Sequence, residues 1–164
     1  MYRWISGIAV ALVVLGVGVG CGGSDETTSD ITKAQFVKKA NFICADYKGK
    51  RLAAAEKEFN PKQRQGPHTV GAKATEEFEA ELRELGDKLL QEKLLPLTAQ
   101  QLEELESLGA PAGDEEKVEQ MLDNLGKAVE ELEGENFEGL IAGNQFDAFE
   151  SEAEKYGLNC KVAR

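Results

Sequence analysis

Histidine is almost missing from this chain: among 164 residues there is only His68. Cysteine occurs three times, tryptophan once and proline four times. Such an inventory leaves little from which to build a metal centre or a nucleophile–base pair. Neither Cys44 nor Cys160 has a second Cys or His at ligand spacing, so the sequence predicts no metal site. Strand patterning is lacking as well. No stretch alternates apolar and polar residues for long, which excludes a sheet. Positive charge is in short supply, with 19 Lys and Arg against 30 Asp and Glu. A surface of net charge −11 repels phosphate backbones and anionic headgroups. Nucleic acid is therefore not a partner, and an electrostatic membrane-binding patch is not expected.

What the chain does have begins at its N-terminus. Arg3 precedes an apolar run from Trp4 to Gly20, with Val19 and Gly20 small just before Cys21. A short basic lead, an apolar core and small residues before a cysteine predict a lipoprotein signal peptide over residues 1–20. Cys21 would then carry the lipid and hold the mature protein at the membrane by its acyl chains. Gly18 departs from the aliphatic residue usual three places before that cysteine. An uncleaved anchor and plain secretion are the alternatives, and all three readings put the domain outside the cytoplasm. Residues 21–31 are small and polar for most of their length and read as a flexible tether.

From residue 32 to 164 the pattern predicts a single helical domain. Thr32 and Gln35 form a capping box, with Ile31 and Phe36 as its hydrophobic staple. Phe36, Ala40, Ile43, Cys44 and Tyr47 recur at helical spacing, and the helix is expected to stop at Asn60-Pro61. Pro61 to Gly71 reads as a loop holding His68. A second helix follows, with Phe78, Leu82, Leu85 and Leu89 along its stripe. Pro96 kinks or ends it, and Leu97-Thr98-x2-Gln101-Leu102 repeats the staple and box as a fresh start. Leu102, Leu105 and Leu108 face inward up to Gly109-Ala110-Pro111. Asp114-Glu115-Glu116 opens a helix whose stripe runs from Val118 to Leu132. Residues 133–144 are Gly-rich and undecided, although Phe137, Leu140 and Ile141 want burial. Phe146, Phe149, Ala153 and Tyr156 mark a last helix, which Gly157 closes in a left-handed cap. Short connections between such segments predict an all-α fold, a compact antiparallel bundle of about four or five helices.

With Cys21 acylated, Cys44 and Cys160 remain as an even pair in an oxidising compartment, and a disulfide between them is expected. Closing a loop of about 100 residues is worth roughly 4.7 kcal/mol by chain entropy.

Phe36-x3-Ala40-x2-Ile43-Cys44, Leu105-x2-Leu108-Gly-Ala-Pro111-Ala-Gly-Asp114-Glu115 and the ending Tyr156-Gly157-Leu158-x-Cys160 resemble a family of small exported lipoproteins of high-GC Gram-positive bacteria. The resemblance spans most of the domain. It implies an all-helical module closed by a disulfide, and it brings no activity or binding residues with it.

Other chemistry reads as absent. His68 lies in a polar loop with no Ser or Cys partner, so it is not counted as a catalytic base. The acid pairs Glu76-Glu77, Glu103-Glu104, Glu115-Glu116 and Glu130-Glu131 lie opposite Leu stripes as solvated faces. Gly139 and Gly143 form no phosphate loop, and no cofactor is implied. Three functions follow, in order of preference. The first is a non-enzymatic envelope lipoprotein that contacts another protein. The second is a receptor for a small molecule or peptide between helices. The third and weakest is an enzyme. No ligand-binding residue can be named from the sequence.

Overall fold

Thr32 and Gln35 start the domain as their spacing requires. In the computed structural model, which describes residues 31–64 and 72–162, the Thr32 amide donates to Gln35 Oε1 at 2.9 Å. The Gln35 amide donates back to Thr32 Oγ1 at 3.3 Å. This box launches α1, Lys33–Arg64. Residues 1–30, 65–71 and 163–164 lie outside the described residues, and with them the signal peptide, Cys21, nearly all of the tether and His68.

Two boundaries differ from expectation. Helix α1 does not stop at Pro61 but runs to Arg64. A proline this near a helix end forfeits one hydrogen bond and leaves little helix beyond it to disrupt. Likewise, no fresh start occurs at Thr98. Helix α2, Ala72–Leu89, passes through a π turn, Leu90–Leu94, directly into α3, Leu95–Glu106. The Leu95 amide reaches Leu90 O, the wider i−5 bond. Pro96 follows at once, where its missing N–H and its ring are accommodated by the widened turn.

Helices α4, Glu115–Leu132, α5, Phe137–Ala142, and α6, Asp147–Tyr156, complete five helical rods, counting α2 to α3 as one. No strand occurs among the described residues. The rods run antiparallel. Tyr47 and Arg51 of α1 reach Glu104 and Gln101 of α3 in descending order. Gln91, in the π turn, donates to the carbonyls of Leu132 and Glu135 at the far end of α4. Asn124 of α4 donates to Glu152 of α6, and Asp114, just before α4, accepts from Tyr156.

The stripes meet in one core. Phe36, Ala40, Leu105, Leu125, Leu132, Phe149 and Ala153 are fully buried, each large side chain contributing roughly 1.5–3 kcal/mol. Phe36 and Tyr156 pack edge to face, with ring centroids 5.8 Å apart. Gly157 closes α6 at φ 102°, and the Leu158 amide folds back onto Ala153 O at 2.7 Å. The tail then lies against α1. The Asn159 amide donates to Asn41 Oδ1, and Cys44 and Cys160 form a disulfide with their Cα atoms 5.1 Å apart.

A candidate binding pocket floored by Arg51

The buried face of α1 advances through Ala40, Cys44 and Tyr47, and its next step lands on Arg51. That residue is only 7% exposed. On α3 the inward face passes through Thr98 and Gln101 before Leu105, and Gln101 is fully buried. On α6 the face carries Glu150 between Phe146 and Ala153, 6% exposed. Each of three apolar stripes thus holds one large polar side chain, and the bundle brings the three together beneath the disulfide.

Their bonds are specific. Arg51 Nη1 donates to Gln101 Oε1 at 2.6 Å. Gln101 Nε2 points at the bridge, 3.5 Å from Cys44 Sγ and 3.3 Å from Cys160 Sγ. Glu150 Oε1 accepts from the Val162 amide at 2.9 Å, and its Oε2 lies 3.4 Å from Lys161 Nζ. Glu150 therefore secures the tail and leaves the guanidinium without a carboxylate bond. Among the described residues Arg51 Nε and Nη2 have no hydrogen-bond partner, and both are closed to water. Burial drops the Arg51 pKa to about 10, and the nearby Glu150 charge offsets only part of that fall.

Beside this cluster a pocket of about 420 Å³ opens between α1, the π turn, α5 and the start of α6. Its volume falls within the range of roughly 300–1,000 Å³ usual for small-molecule sites. Arg51, Thr98 and Glu150 are its buried polar lining. Leu90, Leu94, Leu132, Phe137, Phe146 and Val162 supply much of the apolar wall. Lys48 and Asp147 are exposed charges at its edge, and Leu52 and Ile141 are apolar there, 53% and 70% exposed. Helix α5 forms one wall and is lightly held. Asn136 Oδ1 caps it by accepting from Gly139, the Phe137 amide donates to Asp87, and Glu138 pairs with Arg83.

Of the residues singled out by sequence, Cys44 and Cys160 are brought together and form the roof of the polar cluster. Cys21 and His68 lie outside the described residues. Thr98 and Gln101 do not form a capping box. The Thr98 hydroxyl donates to Leu94 O at 2.9 Å, and Gln101 turns into the core. Backbone already helical on both sides leaves no orphan N–H for a box to satisfy. Arg51 and Glu150 were not legible as site residues, although Arg51 lies one helical step beyond Tyr47 and Glu150 one helical step beyond Phe146.

Among the described residues no three His, Cys, Asp or Glu side chains are grouped to hold a metal ion. Nor is any described helix long and apolar enough to cross a membrane. Compared with protein-family models, curated proteins and solved structures, the chain matches none.

Proposed function

We propose that this chain is an exported, lipid-anchored binding protein that holds a small organic ligand in the pocket between its helices. Composition and tether alone favour a partner protein. The observation that reverses that order is a buried arginine with two unbonded nitrogens beside an apolar pocket. Leaving buried donors unpaired is unfavourable, and a bound group that satisfies them recovers the loss. Export rests on residues 1–20, on Cys21 and on the resemblance of the cysteine-bearing ends to exported lipoproteins.

The test is a thermal-shift screen of the full chain against small organic acids, alcohols and amines. At least one class is expected to raise the melting temperature, since a ligand of the folded state must stabilise it. Ala55→Trp, which fills the pocket from α1, should abolish the shift. A screen without any shift counts against the pocket. Mass spectrometry of the mature N-terminus checks the anchor, with a diacylglyceryl group expected on Cys21.

A second reading, contact with another envelope protein, draws on Phe42, which stands 77% exposed on α1 beside Lys38 and Lys39. If this reading is right, Phe42→Ser loses a crosslinked neighbour in intact cells while ligand shifts persist.

A further inference from the structure

We infer that the ligand is a monocarboxylate with an apolar body, its two oxygens taking the Nε–H and Nη2–H of Arg51 side-on. This rests on the pocket reading and narrows it to a chemical class.

The guanidinium offers two kinds of edge. Nη1 is on the side of Cδ and is taken by Gln101. The Nε–H and Nη2–H bonds run parallel on the opposite side, at a spacing that matches the two oxygens of a carboxylate. These are the two nitrogens with no partner. An alcohol would satisfy only one of them, and an ammonium would be repelled.

The surroundings select among anions. The carboxylate whose charge acts on Arg51, Glu150, is engaged by the Val162 amide and Lys161. Its charge still bears on Arg51, and a second negative charge on the ligand would meet it. Lys48 sits at the exposed edge and is the other cation of the lining; Asp147 is its counterpart in sign. One guanidinium with Glu150 near it suits a single negative charge better than a dianionic phosphate. The body of the ligand must be apolar, because Leu90, Leu94, Phe137 and Phe146 line the space, and Leu52 and Ile141 wait exposed at its mouth. Nε and Nη2 are closed to water, so the carboxylate reaches them only by opening the pocket wall over them.

Octanoate, octanol, octylamine and octyl phosphate are the probes, titrated calorimetrically into the full chain held in lipid nanodiscs, with empty nanodiscs subtracted. Octanoate is expected to bind tightest. Arg51→Met should weaken octanoate at least tenfold while octanol changes less than twofold. The Arg51 Nε–H resonance should move downfield on octanoate saturation, as a charge-assisted bond requires. Octanol, octylamine or octyl phosphate binding as well as octanoate overturns the carboxylate and leaves the pocket reading standing. No binding by any of the four overturns both. Where Arg51→Met does not fold, the wild-type resonance decides: an unmoved Nε–H at saturating octanoate overturns the inference.

Discussion

At the scale of single residues, the polar cluster is a balance between a buried charge and the bonds around it. Burial lowers the Arg51 pKa from its ordinary value to about 10. At 1.36 kcal/mol per unit, the folded state bears roughly 3 kcal/mol against that charge. The pKa of this base is depressed, so the penalty is complete at every pH below about 10 and is relieved only above it. Arg51→Met removes the penalty but orphans Gln101 Oε1, which costs about 1–3 kcal/mol. The single variant should therefore lie between wild-type stability and about 2 kcal/mol above it. Gln101→Leu alone strips Arg51 of its bond to Gln101 and should destabilise by about 1–3 kcal/mol. The double variant, free of both, should be the most stable of the four. Urea unfolding of the set measures this, and simple additivity of the two singles would refute the coupling. Gln101 also shows where legibility ended. The Thr-x2-Gln spacing occurs at Thr32–Gln35 and at Thr98–Gln101, yet only the first forms a capping box. The first stands at a free helix start, and the second lies in continuous helix. Spacing reports that a box is available, and the backbone upstream decides whether one forms.

At the scale of elements, α4 and α6 were legible because nearly every stripe position is simply buried. Helix α5 was not, since none of its residues is buried and its place depends on a distant glycine. A Cβ on Gly86 of α2 would stand 2.7 Å from Phe137 Cδ1 and 3.0 Å from Phe137 Cβ. The first turn of α5 therefore docks where α2 has no side chain. Gly86→Ala gains about 1 kcal/mol of helix propensity. Against that, overpacking costs about 1–3 kcal/mol and pushes Phe137 off α2. A net loss of about 1 kcal/mol is expected, with weaker ligand binding because Phe137 lines the pocket. Adding Phe137→Ala should restore the propensity gain in Gly86→Ala relative to Phe137→Ala alone. Loss of the same size in both backgrounds would show that the ring is not the cause. The start of α4 makes a separate, pH-dependent joint. Hydrogen bonds from Lys117 and Tyr156, and the charge of Lys33, hold the Asp114 carboxyl below the usual range. A depressed carboxylate stabilises above its unfolded pKa, and that stability is lost as pH falls through the folded value. Asp114→Asn should therefore lower the melting temperature at neutral pH. Its deficit against wild type should shrink once pH drops below about 3.9.

At the scale of the whole molecule, the disulfide does more than shorten the unfolded chain. The loop it closes spans 116 positions, for which chain entropy allows roughly 4.7 kcal/mol. That figure was available from the sequence. What was not available is that the bridge sits on the polar cluster, because nothing in the spacing of Cys44 and Cys160 places Gln101 beneath them. The tail beyond Cys160 is part of the pocket: Val162 lines it, and Glu150 holds the Val162 amide. Freeing Cys160 releases that segment, and Glu150 loses the group that keeps it from Arg51. A released Glu150 can then turn to the Nε and Nη2 fork and compete with any ligand for it. A Cys44→Ala/Cys160→Ala variant is thus expected to lose about 2–5 kcal/mol of stability. Measured at a temperature where it remains folded, it should also bind octanoate at least fivefold more weakly. Adding Glu150→Gln removes the competing charge and should return much of that affinity without returning the stability. Affinity that falls only in step with the folded fraction would mean that the bridge acts on stability alone. Affinity that recovers with Glu150→Gln would tie the bridge, the tail and the guanidinium into one device, in which the disulfide keeps Glu150 occupied and Arg51 free for its ligand.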